Sequence, residues 1–209
     1  MRQSLSLLLG FLLLLLLGCQ QQPETIHLNG ATMGTTWSVN LHSLPKNVDP
    51  TDLKRQLQEL LDRINRLMST YDPNSEISRF NTSISTDWFA ISAETLQVIE
   101  LSQQISKLTA GAFDISVGPL VELWGFGASE RGEQLPTDEQ LEDQLKTVGY
   151  QKLDQRQKPP AIKKNHPQLR IDLSAVAKGY AVDLLAELLK QQGIEHFLVE
   201  VGGELQLSG

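Results

Sequence analysis

Apolar residues recur at helical spacing through Leu53, Leu57, Leu60, Leu61, Ile64, Leu67 and Met68. That period predicts a helix ending near Ser69. Its start is marked by Asp49-Pro50, because aspartate caps free N–H groups and proline fits the first helical position. Upstream the period changes. Residues 25–42, TIHLNGATMGTTWSVNLH, alternate and are rich in Thr and Val. They predict two strands joined by a bend near Met33 and Gly34. Residues 69–81, STYDPNSEISRFN, read as a polar turn leading into a short helical piece.

A second long helix is expected from Ser92 to about Thr109. Ile91 before the cap and Leu96 beyond it can form a hydrophobic staple, and Gly111 stands where helix ends favour glycine. Residues 114–127, DISVGPLVELWGFG, predict a loop and then a short apolar helix. Thr137 with Gln140 makes a capping box for a helix ending near Gly149. Two short strands flank QRQKPP within residues 150–171. A helix then follows Ser174, read as its N-cap, and ends before Gly193. Residues 197–209, FLVEVGGELQLSG, are strand, Gly-Gly turn, strand. Strands, helices and hairpins mix without regular βαβ alternation, which favours an α+β fold over a doubly wound sheet. Residues 24–209 show no interior linker and read as one domain.

The amino end follows neither period. Arg2 precedes an almost pure apolar run from Leu7 to Leu17, followed by Gly18 and Cys19. A run this short reads as a signal segment rather than a membrane span. The sequence LLGC resembles a bacterial lipobox. This implies a signal peptide over residues 1–18, a lipidated Cys19 and a polar tether over residues 19–23. The expected location is the bacterial cell envelope, lipid-anchored and facing the periplasm. Cys19 is the one cysteine, so the mature chain holds no disulfide.

The net charge of -7, with no arginine-rich run, argues against a nucleic-acid partner. Dinucleotide, P-loop and nucleophile-elbow motifs are absent. His27, His42, His166 and His196 are scattered, without metal-ligand spacing.

What remains is DLSAVAKGYAVD, residues 172–183. An apolar helical run follows Ser174, yet Lys178 and Gly179 sit in its first turns, and a mid-helix glycine costs about 1 kcal/mol relative to alanine. A helix N-terminus attracts phosphate, a nearby lysine adds a full charge, and a glycine permits close approach. With Asp172 the stretch is a candidate site for a diphosphate and Mg²⁺. Spacing alone leaves open a plainer reading, with Lys178 solvated and Gly179 serving helix packing.

Five ordered segments add to this: ATMGTTWSV (31–39), MSTYDPNSEISRFN (68–81), GAFDISVGPLVELWGFG (111–127), IDLSAVAKGYAVDLLAELL (171–189) and FLVEVGGELQLSG (197–209). Together they resemble the FAD:protein FMN transferases, the ApbE family of flavin-transferring lipoproteins. The resemblance implies a T-fold-related α+β domain of mixed and antiparallel sheets with packed helices. It implies Mg²⁺-dependent transfer of FMN from FAD to a threonine hydroxyl of a target protein, with release of AMP. The implied targets are subunits of membrane redox complexes of the Na⁺-translocating NADH:quinone reductase or Rnf type. Carried over by position, Met33, Tyr71, Ala112, Phe113, Asp114, Asp172 and Lys178 would contact FAD. The backbone oxygen of Ala175 would reach Mg²⁺. Family members continue past the Gly-Gly hairpin, so the resemblance also implies a chain truncated at its carboxyl end. The general base and remaining Mg²⁺ ligands are then not assignable. Two alternatives accompany this reading: a Mg²⁺-dependent FAD pyrophosphatase and a non-catalytic FAD-binding lipoprotein.

Overall fold

Two hairpins and two long helices build the larger half of the core. The computed structural model describes residues 25–128 and 135–209; the expected signal peptide, Cys19 and the tether over residues 19–23 lie outside them. Strands β1 (Ile26–Thr32) and β2 (Thr35–Leu41) form the first hairpin, and β6 (Phe197–Val201) and β7 (Glu204–Ser208) form the second. They join as one antiparallel sheet in the order β1-β2-β6-β7. Alternation sends Trp37, Val39, Leu41, Phe197, Val199 and Val201 to one buried face.

Helices α1 (Pro50–Met68) and α6 (Ser174–Gln191) cover that face. Helix α1 forms as its pattern requires: Asp49 accepts from the Thr51 and Asp52 N–H groups, Pro50 opens the helix, and Leu53, Leu57, Leu61, Ile64 and Met68 are buried. The short helix α2 (Glu76–Thr82) is capped by Ser75, and α3 (Ala93–Leu108) by Ser92. Helix α4 (Gly118–Leu123) follows the expected loop, and α5 (Asp138–Leu145) carries the Thr137–Gln140 capping box. A second sheet has the order β3-β5-β4, from β3 (Phe89–Ala90), β4 (Leu153–Gln157) and β5 (Pro160–Lys164). The fold is α+β with antiparallel sheets and packed helices. No helix among the described residues is long and apolar enough to cross a membrane.

Three local expectations are corrected. Ser174 is not the N-cap of α6. Leu173 holds that position at φ -99, and the Asp172 carboxylate accepts from the Ser174 N–H at 2.7 Å. After α3 the expected glycine, Gly111, is left-handed at φ 85, but Ala110 at φ 52 precedes it in the same region and takes the position next to the cap. The Gly111 and Ala110 N–H groups return to the Ser106 and Lys107 carbonyls, which is the Schellman arrangement. Helix α5 stops at Leu145, and the segment continues as a 3-10 turn over Tyr150–Lys152.

Candidate functional site

The antiparallel register puts both hairpin tips at one end of the four-stranded sheet. The Gly202 N–H donates to the Thr36 carbonyl at 3.1 Å, tying the tips together. Beside them lie the last turns of α1 and the first turns of α6. A cavity of about 680 Å³ opens where these four pieces meet. Met33 and Gly34 line it from the first tip, Ile64, Asn65 and Met68 from α1, and Ser174, Ala177 and Lys178 from α6. Ser69, Thr70 and Tyr71 complete the wall.

Each wall is fixed by local chemistry. Met33 occupies the left-handed region at φ 49, which a residue with a Cβ adopts only at a cost. Asn65 Nδ2 donates to Thr32 Oγ1 at 3.1 Å, fastening α1 to the hairpin. Ser69 Oγ accepts from the Tyr71 and Asp72 N–H groups at 3.1 and 3.2 Å, which turns the chain out of α1. Tyr71 is 64% exposed, and its hydroxyl donates to the Phe126 carbonyl at 2.9 Å. An exposed phenol ring anchored at its tip offers a flat face to a planar ligand.

The lysine is held from the second tip. Lys178 Nζ lies 3.4 Å from Glu204 Oε1 and 3.5 Å from the Gly202 carbonyl oxygen. Asp172 already serves the Ser174 N–H, and the Val176 and Ala177 N–H groups donate to the Leu173 carbonyl. The helix start is therefore partly satisfied, so Lys178 supplies the positive charge facing the cavity. Gly179 has nothing within 4 Å of where a Cβ would stand; packing does not explain it.

A smaller cavity of about 220 Å³ adjoins, sharing Thr70 and Tyr71. Asp172, Asn81 and Arg170 line it. Asn81 brackets Ile171, donating to its carbonyl and accepting from its N–H, both at 2.8 Å. That grip aims the segment feeding α6. Thus Met33, Tyr71 and Lys178 share one cavity and Asp172 lies next door. Ala112, Phe113, Asp114 and Ala175 line neither. Ala112 and Ala175 are exposed, and Phe113 packs against the core. Asp114 accepts from the Ser116 N–H at 2.8 Å and the Tyr150 N–H at 2.7 Å, so it pins its own loop. Sequence reasoning missed Asn65 and Glu204, whose partners lie far along the chain, and Ser69, whose partners Tyr71 and Asp72 are local. The signal available for Asn65 was a polar residue beside Ile64, near the end of the apolar helical period.

Mg²⁺ takes about six oxygen ligands. Among the described residues no group of three or more His, Cys, Asp or Glu is placed to hold a metal ion. An all-side-chain cage for Mg²⁺ is thus not present among the described residues. The histidines stay apart from the cavity; His42 and His196 meet edge-to-face at 6.2 Å, both exposed.

One further cation lies behind the α6 entry segment. Lys164 is 1% exposed, and its Nζ donates to the Phe80 and Leu169 carbonyls at 3.2 Å each. It also sits 4.9 Å from the Phe80 ring centre. Burial, and secondarily the Arg170 charge, lowers its pKa to about 8.

Comparison with known proteins decides the kinship. The ApbE family model matches residues 33–209. The chain belongs to the ApbE family. A curated family member from Vibrio cholerae, a FAD:protein FMN transferase, is 43% identical over 197 residues, covering 94% of this chain and 58% of the relative. The Escherichia coli K12 enzyme of the same name is 37% identical over 206 residues, covering 94% and 58%. The solved flavin transferase ApbE from Vibrio cholerae superposes with a TM-score of 0.86 at 42% identity, over 89% of this chain and 60% of that one. The apo flavinyl transferase ApbE of Pseudomonas stutzeri gives 0.83 at 30% identity, over 91% and 62%. This chain therefore spans somewhat under two thirds of these ApbE proteins' own length.

Proposed function

We propose that this chain binds FAD in the cavity between the hairpin tips and takes part in transferring FMN from FAD to a protein. The observation that carries the reading is the meeting of Met33, Tyr71 and Lys178 around one cavity at the start of α6. Met33 and Tyr71 offer a thioether and a ring to flat heterocycles. Lys178 offers a charge to the diphosphate. Asp172, next to them, is placed for hydrogen bonds from ligand hydroxyls or amines.

The acceptor is a threonine hydroxyl. Its oxygen forms a bond to the FMN phosphorus, the phosphoanhydride P–O bond breaks, AMP leaves with the bridging oxygen, and the hydroxyl proton is released. This chain's residues contribute positioning and charge neutralisation, the main levers in phosphoryl-type transfer. Mg²⁺ accompanies the substrate phosphates in this reading. It is not assigned to carboxylates of this chain, and no step is routed through it. The targets are subunits of membrane redox complexes, and the chain works at the bacterial envelope, anchored through Cys19 and facing the periplasm.

The test is a transfer assay with the full chain, FAD, Mg²⁺ and a threonine-containing acceptor subunit, read as flavin fluorescence on a denaturing gel. A fluorescent acceptor band is the expected result. Free FMN and AMP without an acceptor would replace transfer with pyrophosphatase activity. FAD binding with neither product would leave a non-catalytic FAD-binding lipoprotein. A chain that binds no FAD overturns the reading.

A further inference from the structure

The strand β7 turns polar side chains toward the helix-covered face of the sheet. Its partners place Glu204 opposite Val201 and Gln206 opposite Val199, on the sheet face that buries both valines. Leu205 and Leu207 point the other way and are 64% and 72% exposed. A carboxylate on the helix-facing side needs a partner, and Glu204 faces the start of α6.

The partner it meets is Lys178, at 3.4 Å. The other carboxylate oxygen, Oε2, is buried and has no hydrogen-bond partner among the described residues. Lys178 is thus the counter-charge that offsets the partial desolvation of Glu204 among the described residues. The lysine's stem is confined too. A Cβ on Gly202 would stand 3.0 Å from Lys178 Cδ and 2.7 Å from Thr35 Cγ2. Only glycine allows the turn, at φ 56, to lie so close. Glu200 Oε1 accepts from the Gly203 N–H at 2.7 Å and holds that turn.

We propose that Glu204 is a positioning residue: it holds the Lys178 ammonium at the cavity so that the lysine meets a bound diphosphate in one orientation. This rests on the FAD-binding reading above. A free lysine loses rotamer freedom when it is fixed. A lysine already restrained by Glu204 and the Gly202 backbone loses less when a ligand binds.

Two measurements on the full chain test this. The first uses no ligand: the acetylation rate of Lys178 by acetic anhydride, followed by mass spectrometry of its peptide. Glu204→Gln keeps the shape and removes the charge, and it is expected to raise that rate about fivefold, the scale of a weak ion pair. An unchanged rate overturns the proposal. The second is a titration with FAD, ADP and riboflavin. Glu204→Gln is expected to weaken FAD and ADP about fivefold and leave riboflavin unchanged, since riboflavin has no phosphate. In a Lys178→Met background the same change is expected to do nothing further. Equal weakening of riboflavin would mean general disruption and overturns the proposal. FAD binding by the wild-type chain that Glu204→Gln leaves untouched sinks the positioning role alone. A wild-type chain that binds neither FAD nor ADP sinks the site reading and this proposal with it.

Discussion

Lys164 and Lys178 are both withdrawn from solvent, one wholly and one in part, and they are held in opposite ways. Lys164, at the end of β5, is 1% exposed and meets two backbone carbonyls and the Phe80 ring, with no carboxylate in ion-pair range among the described residues. Lys178, in α6, keeps 33% of its side chain exposed and faces Glu204 and a cavity. Lys164 uses its donors to fasten the Phe80 and Leu169 backbones together, behind the segment that enters α6. Lys178 sits beyond that segment and keeps its charge at a surface a ligand can reach. One lysine shapes the site from behind, and the other stands in it.

The sharpest break of this comparison is truncation. Lys164→Ala is expected to destabilise the chain by about 3 kcal/mol. A buried long side chain is lost, and two interior carbonyls lose their donor. Lys178→Ala is expected to cost under about 1 kcal/mol, because half-exposed ion pairs contribute little. Urea denaturation of both variants measures the gap. Equal losses would mean that Lys178 is as structural as Lys164.

The titration of Lys164 gives a second, smaller contrast. Its folded pKa of about 8 lies below the usual 10.5. Between those values the unfolded chain binds more protons, so stability rises with pH in that window and is insensitive to this group below it. The melting temperature of the wild type, minus that of Lys164→Met, should therefore climb from pH 8 to pH 9.5. A flat difference would mean that Lys164 is better solvated than its burial implies.

Legibility followed how local each determinant is. Helix α1 was readable because its cap, proline and apolar period all lie within twenty consecutive residues or so. The start of α6 was misread because two cap-type residues flank Leu173. Asp172 reaches the Ser174 N–H from one position earlier than a standard cap. The two-residue strand β3 leaves no period to detect. At the site, Met33 and Tyr71 came from the family resemblance, since a methionine and a tyrosine carry no spacing signal of their own, whereas Lys178 already stood out as a charge beside a glycine in the first turns of a helix. Glu204 was invisible for a different reason. Alternation along β7 says that Glu204 and Gln206 share a face, and only pairing with β6 says that the face is the inner one.

The smallest expected effect bears on the helix that carries Lys178. Gly179 follows the lysine in the second turn of α6, where glycine costs about 1 kcal/mol relative to alanine. Close packing would explain it, but a Cβ there would meet nothing within 4 Å. Nothing in the described fold requires the glycine, and the space beside it is open to a ligand that approaches Lys178. Gly179→Ala is therefore expected to stabilise the ligand-free chain by about 1 kcal/mol while weakening FAD measured by fluorescence titration. Around Lys164 no such trade exists, because its surroundings are already filled. A Gly179→Ala chain that gains stability and binds FAD as before would show that the glycine serves neither packing nor ligand. The contrast between the two lysines would then rest on Lys178 and Glu204 alone.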